Sequence, residues 1–496
     1  LNLQLKIKNV LLMKTTIQSL AIIFSSIILL ISCLSDDTDT EVLLYNDTAI
    51  TQFSLGTLNR YLTTKATSSF DEEGNPVDSI YKVEIDGSNY KFYIDQIKRT
   101  IYNTDKLPVG TDTTHVICSI SSKNSGIITI KDIDSDTLNY FNSSDSINFG
   151  VPREFHIFST DGTGHRVYTV TLNMYEEDPD SFVWKDIAVM PEIVALSDIR
   201  AVSFKDLVLV AGSNGQNTML YVSNVADGTS WTKVDLNASL EADAYKSLVA
   251  SNNAVYLKSG NKLFSSTDCS SWTAEEFSGS IMPATLIGVG KVNIYGLDNN
   301  GNIVCSKDNG KSWAEEDIVD SDEKQYIPTS CTGFGSFTMA TDKNGERIVF
   351  VGNRDVATYP EDSVAMVWNK IEEHGTSNTH KWLPCNENNN SRLPRLSNIQ
   401  SMPYGGKMIA LGGKGLGKST AKAFEKLYVS EDFGLTWHKD ELYVLPSKMD
   451  NHGSDKFAMT VDKDNYLWIF CGSDGTVWRG RLNKLGLEDI QTEFVN

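Results

Sequence analysis

The sequence predicts an all-β protein in which an N-terminal β-sandwich precedes a six-bladed β-propeller, and three observations support this fold class. Short segments that alternate apolar and polar residues, separated by polar turns, run through most of the chain. A turn that ends in tryptophan occurs four times, and three of these tryptophans, at positions 231, 272 and 313, are 41 residues apart. Repeats of about 40 to 45 residues with four strands each are typical of propeller blades.

The N-terminal sandwich is predicted for residues 49–178. Alternation is clear in Tyr81–Ile85 and Arg166–Leu172, and Asp-Gly pairs mark turns between such segments. Several short strands of this kind favour a small antiparallel sandwich. The opening strand at Ile50 and the closing strand at Val167 resemble those of immunoglobulin-like or cadherin-like modules.

The propeller is predicted for residues 181–484. Its last repeat, from Phe457 onwards, has three strand-like segments, and the third contains Thr476–Arg479. Residues 182–187 match the pattern of a fourth strand, and we expect them to close the ring beside that segment, because closure removes exposed sheet edges. A seventh, degenerate blade is the alternative. Residues 485–496 are left as a C-terminal tail.

The repeated turn follows the pattern Ser-x-Asp-x-Gly-x-x-Trp, complete in two copies and degenerate in two. It resembles the Asp-box of sialidase-like propellers. In such a turn the aspartate accepts hydrogen bonds from nearby amides, the glycine takes a positive φ and the tryptophan packs over the hairpin. We therefore expect a structural role for the box residues, which are Asp227, Trp231, Asp268, Trp272, Asp308, Gly310, Trp313, Asp432, Gly434 and Trp437.

The sialidase resemblance implies an arginine triad, a tyrosine nucleophile paired with a glutamate, and an Arg-Ile-Pro motif at the first blade. Met190–Val194, which precede the first blade, lack that motif. Arg392–Pro394 resemble it only loosely and lie at a later blade. Arg200 is the one arginine of the first three blades. We therefore predict no catalytic residues and favour a protein that is not an enzyme.

Residues 1–33 are predicted to be an export signal, with translation starting at Met13. Leu30–Cys33 resembles a bacterial lipobox, which implies that Cys33 is lipidated and becomes the first residue of the mature chain. Residues 34–48 are then a linker, and their acidic start resembles the export tag of Bacteroides-type surface lipoproteins. This likeness implies an outer-membrane or cell-surface location with membrane contact through the lipid only. A short transmembrane anchor is the alternative.

Composition argues against several other classes. The net charge of −20, from 64 acidic and 44 basic residues, disfavours a nucleic-acid partner, which would need a basic surface. Apart from the predicted lipidation site, six cysteines are scattered without paired spacing, so we expect mostly free, buried thiols. No Cys-x-x-Cys or His-x-x-x-His pattern indicates zinc. We expect no metal, no cofactor and a monomer.

Four long segments are predicted to connect strands on one face of blades four and five, and they are residues 315–335, 353–363, 383–398 and 412–426. Long loops on a rigid scaffold often carry function. Basic residues in these loops, on an otherwise acidic chain, predict a site for an anionic ligand. The predicted binding residues are Arg354, Arg392, Arg395, Lys414 and Lys418.

Gly412–Ser419 also fits the phosphate-loop pattern Gly-x4-Gly-Lys-Ser and follows a predicted strand. Its place inside a blade, closely followed by a box turn, argues against nucleotide hydrolysis. A glycine-rich loop that holds another anion, or a mobile loop without a ligand, are the remaining interpretations.

The sequence thus favours a surface lipoprotein whose propeller binds a glycan or a surface protein without catalysis. The alternatives are a sialidase-like glycoside hydrolase or lyase and a structural adhesion or scaffold module. Carboxylates about 5 to 10 Å apart in the propeller mouth would favour the hydrolase. Exposed aromatic side chains there would favour glycan binding. The absence of both features would favour the scaffold module.

Overall fold

The computed structural model describes residues 43–70, 76–277, 279–376, 380–385, 390–447, 449 and 455–487. The predicted signal, the lipidation site Cys33 and the last residues of the tail lie outside this part of the chain. Strands make up 45% of the structure and helices 6%, which confirms the all-β prediction. No helix in the described ranges is long and apolar enough to cross a membrane. The chain divides into two compact units between Met174 and Tyr175.

The strands described in the N-terminal unit are β1 (Ile50–Leu55), β2 (Thr57–Phe70), β3 (Pro76–Asp86), β4 (Phe92–Asp95), β5 (Thr100–Asn103), β6 (Cys118–Ser122), β7 (Ile127–Lys131), β8 (Leu138–Tyr140), β9 (Arg153–Phe158) and β10 (His165–Thr171). Six of them form a sheet in the order β4-β5-β10-β9-β7-β8. β1 pairs with β6 in a separate ribbon, and β2 pairs with β3 in a long hairpin.

One core joins the ribbon to the six-stranded sheet. Alternate residues of β9 and β10, including Phe155, Ile157, Tyr168 and Val170, are fully buried there beside Phe53 of β1. The expectation of a purely antiparallel sandwich is wrong, because β10 runs parallel to β5. Alternation has a period of two residues in either direction, so it could not reveal the direction of a pair.

The first strands of the C-terminal unit are β11 (Phe182–Val189), β12 (Ile199–Phe204), β13 (Leu207–Ser213), β14 (Thr218–Asn224), β15 (Thr232–Lys233), β16 (Val249–Ala250), β17 (Val255–Ser259), β18 (Lys262–Ser266), β19 (Thr273–Glu276), β20 (Thr285–Val289), β21 (Ile294–Leu297), β22 (Ile303–Ser306) and β23 (Ala314–Glu315). A single helical turn, α1 (Pro191–Val194), lies between β11 and β12.

The remaining strands are β24 (Ser330–Thr338), β25 (Gly345–Asn353), β26 (Met366–Glu373), β27 (Leu383–Pro384), β28 (Gln400–Tyr404), β29 (Lys407–Leu411), β30 (Tyr428–Ser430), β31 (His438–Lys439), β32 (Phe457–Val461), β33 (Leu467–Cys471) and β34 (Thr476–Leu482). Short 3-10 turns cover Ala244–Ser247, Ser321–Tyr326 and Asn483–Gly486.

These strands form sheets arranged around a central channel. Four-stranded sheets contain β12 to β15, β16 to β19, β20 to β23, and β11-β34-β33-β32. An eight-stranded sheet has the order β27-β26-β25-β24-β28-β29-β30-β31. The channel is lined by β12, β16, β20, β24, β28 and β32, so each group of four strands supplies one inner strand. This radial arrangement is a β-propeller, as predicted.

The two ends of the unit meet in one sheet. β11 pairs antiparallel with β34, with Phe182 opposite Leu482 and Val189 opposite Thr476. Buried clusters fill the space between neighbouring sheets; one of them brings Trp468 of β33 against Val208 of β13. Burial of such large apolar side chains is the main stabilising contribution in this architecture.

Four turns, here called the tryptophan turns, comprise residues 227–231, 268–272, 308–313 and 432–437. In the third, Asp308 accepts hydrogen bonds from the Ser306 hydroxyl at 2.8 Å and the Ser312 amide at 2.9 Å. The indole nitrogen of Trp313 donates to the carbonyl of Gly310 at 3.0 Å. The fourth turn repeats every one of these contacts.

The first two tryptophan turns are one residue shorter. The residue after the aspartate, Gly228 or Cys269, takes the positive φ, at 65° and 63°. Its carbonyl accepts the indole N–H of Trp231 at 3.1 Å or of Trp272 at 3.2 Å. The shorter turns therefore keep the tryptophan anchored although the pattern glycine is missing from the second of them.

Candidate functional site

Arg354 ties together two of the long loops, residues 315–335 and 353–363. Its guanidinium makes two hydrogen bonds to Asp362, at 2.6 and 2.9 Å, and a third to the carbonyl of Gln325 at 3.1 Å. The ring of Tyr359 lies 3.7 Å below the guanidinium carbon, and Tyr326 packs on it at 5.1 Å. Because these partners occupy the side chain, Arg354 is only 8% exposed.

Arg395 extends the same network and is fully buried, with 0% exposure. It donates to the carbonyl of Tyr359 at 2.6 Å and to the carbonyl of Arg354. The expectation that these two arginines contact a ligand is therefore not retained. Their guanidinium groups hold the loops in place because buried charges need internal partners.

The other predicted binding residues do not converge on one site. Arg392 is partly buried, and burial lowers the pKa of its guanidinium. Lys414 and Lys418 are exposed, and Lys418 forms an ion pair with Glu361. Exposed lysine pairs of this kind contribute little energy and do not define a pocket.

The glycine-rich segment has a conformation that is incompatible with a phosphate loop. Its amides donate to protein carbonyls: Gly413 to Ser397 at 2.8 Å, Leu416 to Arg395 at 3.0 Å and Lys418 to Asp362 at 3.1 Å. A phosphate site needs those amides free to point at the ligand. The segment instead completes the network around Arg395 and Asp362.

A cavity of about 440 Å3 opens where the inner strands begin, and we call it the channel mouth. Since residues 315–335 and 383–398 run into β24 and β28, the mouth lies on the face that carries the long loops. A second cavity, of about 360 Å3, continues along the inner strands and shares Arg200, Thr332 and Gln400 with it. The polar residues around the mouth are Asp198, Arg200, Tyr245, Lys246, Thr285, Thr329, Ser330, Thr332, Asn353, Asn398 and Gln400.

Arg200 stands where the mouth meets the channel. One of its N–H groups donates to the carbonyl of Lys246, and it forms no ion pair with any described carboxylate. Burial lowers the pKa of Arg200 to about 10, so the group stays charged at neutral pH. Lys246 is exposed and likewise has no carboxylate partner in the described part of the chain. The mouth thus contains two cations without counter-charges.

Asp198 is the one carboxylate among the described residues that line the mouth, and it is already engaged. It accepts the hydroxyl of Tyr245 at 2.9 Å and the amide of Ile199 at 2.9 Å. Burial, followed by the charge of Asp198, raises the pKa of the Tyr245 hydroxyl, which therefore remains protonated. Tyr245 is buried, so its ring offers no stacking surface.

Two polar atoms in the cavity walls have no hydrogen-bond partner among the described residues, Asn353 Oδ1 and Ser401 Oγ. Asn353 ends β25 and lines the mouth, and Ser401 of β28 lines the channel below it. A buried acceptor without a partner costs about 1 to 3 kcal/mol. Both atoms are inaccessible to solvent, so a ligand in the cavity would not reach them without a rearrangement of the wall.

Among the described residues, the mouth has no carboxylate pair of the kind that a hydrolase would need, but a pair exists elsewhere. Glu316 and Glu372 both contact the ammonium group of Lys370 in a separate groove. Although burial opposes it, the two carboxylates raise the pKa of Lys370. Trp382 also donates to Glu316 at 3.1 Å. These carboxylates are therefore occupied by an internal ion cluster.

Comparison with known families places the chain among two-domain proteins with a C-terminal β-propeller. Residues 178–490 match the family described as "DUF6242 beta propeller domain", and residues 53–172 match "Domain of unknown function (DUF6242) N-terminal domain". Because the propeller match alone covers more than half of the chain, the protein belongs to this family. No curated protein matched the sequence.

Solved structures with a similar chain path share little sequence. YCF48 from Cyanidioschyzon merolae is 13% identical over 60% of this chain and 98% of its own, with a TM-score of 0.33. A gluconolactonase from Xanthomonas campestris is 10% identical over 58% and 86%, with a TM-score of 0.34. An AA12 carbohydrate-active enzyme from Trichoderma reesei is 11% identical over 61% and 96%, with a TM-score of 0.36. No function is transferred from them.

Arg200, Tyr245 and Asn353 were not selected from the sequence as binding residues. Arg200 carried a usable signal, because it is the one arginine between residues 181 and 346 and it lies at the start of an inner strand. Asn353 carried no such signal, since an asparagine at the end of a strand is common. Its missing partner is visible only in three dimensions.

Proposed function

We propose that the propeller is a non-catalytic binding module whose site is the channel mouth and whose ligand is an anionic glycan. The observation that carries this proposal is Arg200, a cation in a preformed cavity without a carboxylate partner in the described residues. The cavity volume of about 440 Å3 falls in the usual range of small-molecule sites.

The physical basis is the cost of an uncompensated charge. A guanidinium withdrawn from water is stabilised when an anion accepts its N–H groups, and such charge-assisted bonds are stronger than neutral ones. On a chain with a net charge of −20, a mouth with two unpaired cations is a local exception. The mouth would attract an anionic ligand, whereas the acidic surface elsewhere would repel it.

A glycan fits the rest of the lining better than an apolar ligand. The wall consists largely of hydroxyl and amide side chains, and its described residues include no exposed aromatic ring. The described lining thus has neither a carboxylate pair nor an exposed aromatic ring, the two features whose absence was expected to leave a scaffold. What favours a ligand over a scaffold is the unpaired Arg200, and recognition would depend on hydrogen bonds and charge without stacking. A surface protein that inserts an acidic side chain is the alternative partner, and the experiment below separates the two.

For the architecture, we propose six blades with Asp-box turns and an immunoglobulin-like N-terminal domain. The blade number is supported by the strand order, because the eight-stranded sheet consists of two four-stranded halves joined by the parallel pair Gly333 and Ser401. The hydrogen bonds of the tryptophan turns support the Asp-box assignment. The ribbon packed on a six-stranded sheet supports the immunoglobulin-like assignment.

We also propose that the protein is a lipoprotein held at the cell surface through Cys33, a proposal supported by the lipobox-like sequence before it. Cys33→Ala should move the full-length protein from the detergent phase to the aqueous phase in a phase-partition assay. Equal partition of the variant and the wild type would overturn the lipid anchor.

The binding proposal is tested on an array of neutral and acidic glycans with the mature chain. We expect wild-type protein to bind acidic glycans, Arg200→Ala to lose that signal, and Lys418→Ala to keep it. Lys418 is the matched control because it is a cation of the same face that already has a partner. An unchanged signal in Arg200→Ala would contradict the site, and no binding to any acidic glycan would favour a protein partner or a scaffold.

A further inference from the structure

We propose that the channel below the mouth is a subsite for an apolar substituent of the ligand, an alkyl or acyl chain carried by the anionic glycan. This inference rests on the proposed function and names the chemical class of its ligand. The feature that carries it is distinct from the cation at the mouth, and it is a ring of apolar side chains around the second cavity.

The ring, here called the apolar belt, takes one side chain from each of β12, β16, β20, β24, β28 and β32. All its members are partly buried and line the cavity of about 360 Å3, so part of each side chain faces the channel. An apolar group that displaces water from such a surface binds favourably. The belt residues are Val202, Ala250, Val289, Phe334, Met402 and Val461.

The belt lies directly below Arg200. Val202 follows Arg200 by two residues on β12, and Phe334 follows Thr332 by two residues on β24. Alternate residues of a strand point to the same side, and each residue advances the strand by about 3.3 Å, so the belt begins about 7 Å further along the channel than Arg200. A ligand whose anion contacts Arg200 can therefore extend a substituent into the belt.

Charge does not continue into the channel. Arg200 is the single charged side chain among the described residues that line the second cavity. Ser401 and Thr460 also line it but are only 2% and 7% exposed. Ser203 and Asn252 come after the belt residues of their segments and lie farther from the mouth. A charged group in the belt would lose its hydration without a partner, whereas an alkyl chain has no such cost.

The channel stays open at the belt because its largest side chain is packed against the wall. The ring of Phe334 lies over Gly288 of the neighbouring β20, where any Cβ atom would collide with it. The same ring packs on Tyr295, with 6.0 Å between the ring centroids. The phenyl group is therefore held beside β20, and the cavity of about 360 Å3 remains for a ligand.

The test is a calorimetric titration of the full mature chain with sugars that share a carboxylate and differ in the apolar group. The probes are D-glucuronate, the methyl, butyl and hexyl β-D-glucuronides, and the neutral butyl β-D-glucoside. Each methylene that moves from water into an apolar site raises affinity about three- to fourfold. We therefore expect butyl glucuronide to bind at least about tenfold more tightly than methyl glucuronide, and butyl glucoside to bind more weakly than butyl glucuronide.

Belt variants locate the effect. Ala250→Leu fills the channel and should reduce the advantage of the butyl over the methyl glucuronide to less than about threefold, while the affinity for D-glucuronate stays within about twofold. Val202→Thr adds a hydroxyl to the belt with little change of shape and should reduce the advantage in part. Val183→Thr is the matched control, since Val183 is 45% exposed on the edge strand β11, and it should leave the advantage unchanged.

Equal affinity of the methyl and butyl glucuronides for the wild type, or an advantage that survives in Ala250→Leu, overturns the apolar subsite. If D-glucuronate still binds through Arg200 in that case, the proposed function stands and this inference fails. If Ala250→Leu does not fold, the wild type and Val202→Thr decide the question. If no glucuronide binds, or if butyl glucoside binds as tightly as butyl glucuronide, the anionic site itself fails, and this inference fails with it.

Discussion

Arg354 and Arg200 belong to the same propeller face but have opposite surroundings. Arg354 is held by Asp362, by a backbone carbonyl and by two tyrosine rings. Arg200 has one carbonyl partner and otherwise borders an open cavity. The same side chain is a structural connector in the first setting and an available cation in the second. Its role depends on its partners, and the number of nearby basic residues does not predict it.

The comparison also explains why the basic loops of the eight-stranded sheet are a poor guide to binding. Arg354, Arg395 and the backbone around Asp362 hold these loops in one conformation. A rigid rim of this kind keeps the channel mouth open and preformed, which lowers the entropic cost of binding. The loops thus support the site without supplying its charge.

The first prediction concerns Arg354→Ala and has the largest expected effect. Removal of the guanidinium breaks its bidentate bond to the partly buried Asp362 and leaves only Arg395, at 4.0 Å, as a counter-ion, so we expect the free energy of unfolding of the C-terminal unit to fall by about 3 to 5 kcal/mol. Urea denaturation followed by tryptophan fluorescence measures this unit, because all nine tryptophans lie between Trp184 and Trp478. Asp362→Ala combined with Arg354→Ala should recover part of the loss. Wild-type stability in the single variant would refute the structural role.

The second prediction concerns Trp437, which is buried in the fourth tryptophan turn. Trp437→Ala should lower the free energy of unfolding by about 3 kcal/mol, since it removes a large buried side chain. Glucuronate affinity, measured below the unfolding transition, should stay within about twofold of wild type because a substitution this far from the ligand acts on stability. A large loss of affinity in the folded variant would mean that the turns take part in binding.

The third prediction concerns the loss of stability at acidic pH that Asp308 causes. Hydrogen bonds from Ser312 lower the pKa of Asp308 in the folded protein to about 2, from an ordinary value of 3.8. The carboxylate therefore stabilises the fold fully above about pH 4 and loses this contribution as the pH falls towards 2. Asp308→Ala should show a shallower loss of stability over that interval than wild type, in urea denaturations at several pH values. Parallel curves for the two proteins would contradict the turn chemistry.

The fourth prediction has the smallest expected effect on stability and compares Arg200 with Arg354 directly. Arg200→Ala should change the free energy of unfolding by less than about 1 kcal/mol, because the guanidinium has one carbonyl partner and no ion pair in the described residues. The same denaturation assay measures it beside Arg354→Ala. A loss as large as that of Arg354→Ala would show that Arg200 is a structural connector too.

The fold class followed from local patterns that survive in the sequence. Alternation and the regular spacing of Trp231, Trp272 and Trp313 reflect strand burial and a repeat, which are properties of short segments. The parallel pairing of β5 with β10 depends on chain direction in space, which alternation does not record.

The site was harder to predict, because its determinants are contacts between distant segments. The loop arginines are basic in sequence, but the partner that neutralises Arg354 and the carbonyls that hold Arg395 are visible only in the folded chain. Conversely, Arg200 is conspicuous in the folded chain because no described carboxylate pairs with it, and an absent counter-ion leaves no trace in the sequence. The face that carries the long loops stays the predicted binding face, whereas the residues to test on it changed.

The most direct test of this account is a side-by-side titration of D-glucuronate into the wild-type chain, Arg200→Ala, and the double variant Lys414→Ala/Lys418→Ala. Calorimetry at low salt keeps the electrostatic contribution large. We predict that binding is lost in Arg200→Ala, by at least about tenfold in affinity, and retained within about twofold in the lysine variant. Loss in the lysine variant with retention in Arg200→Ala would place the anion on the loops and contradict the channel-mouth site.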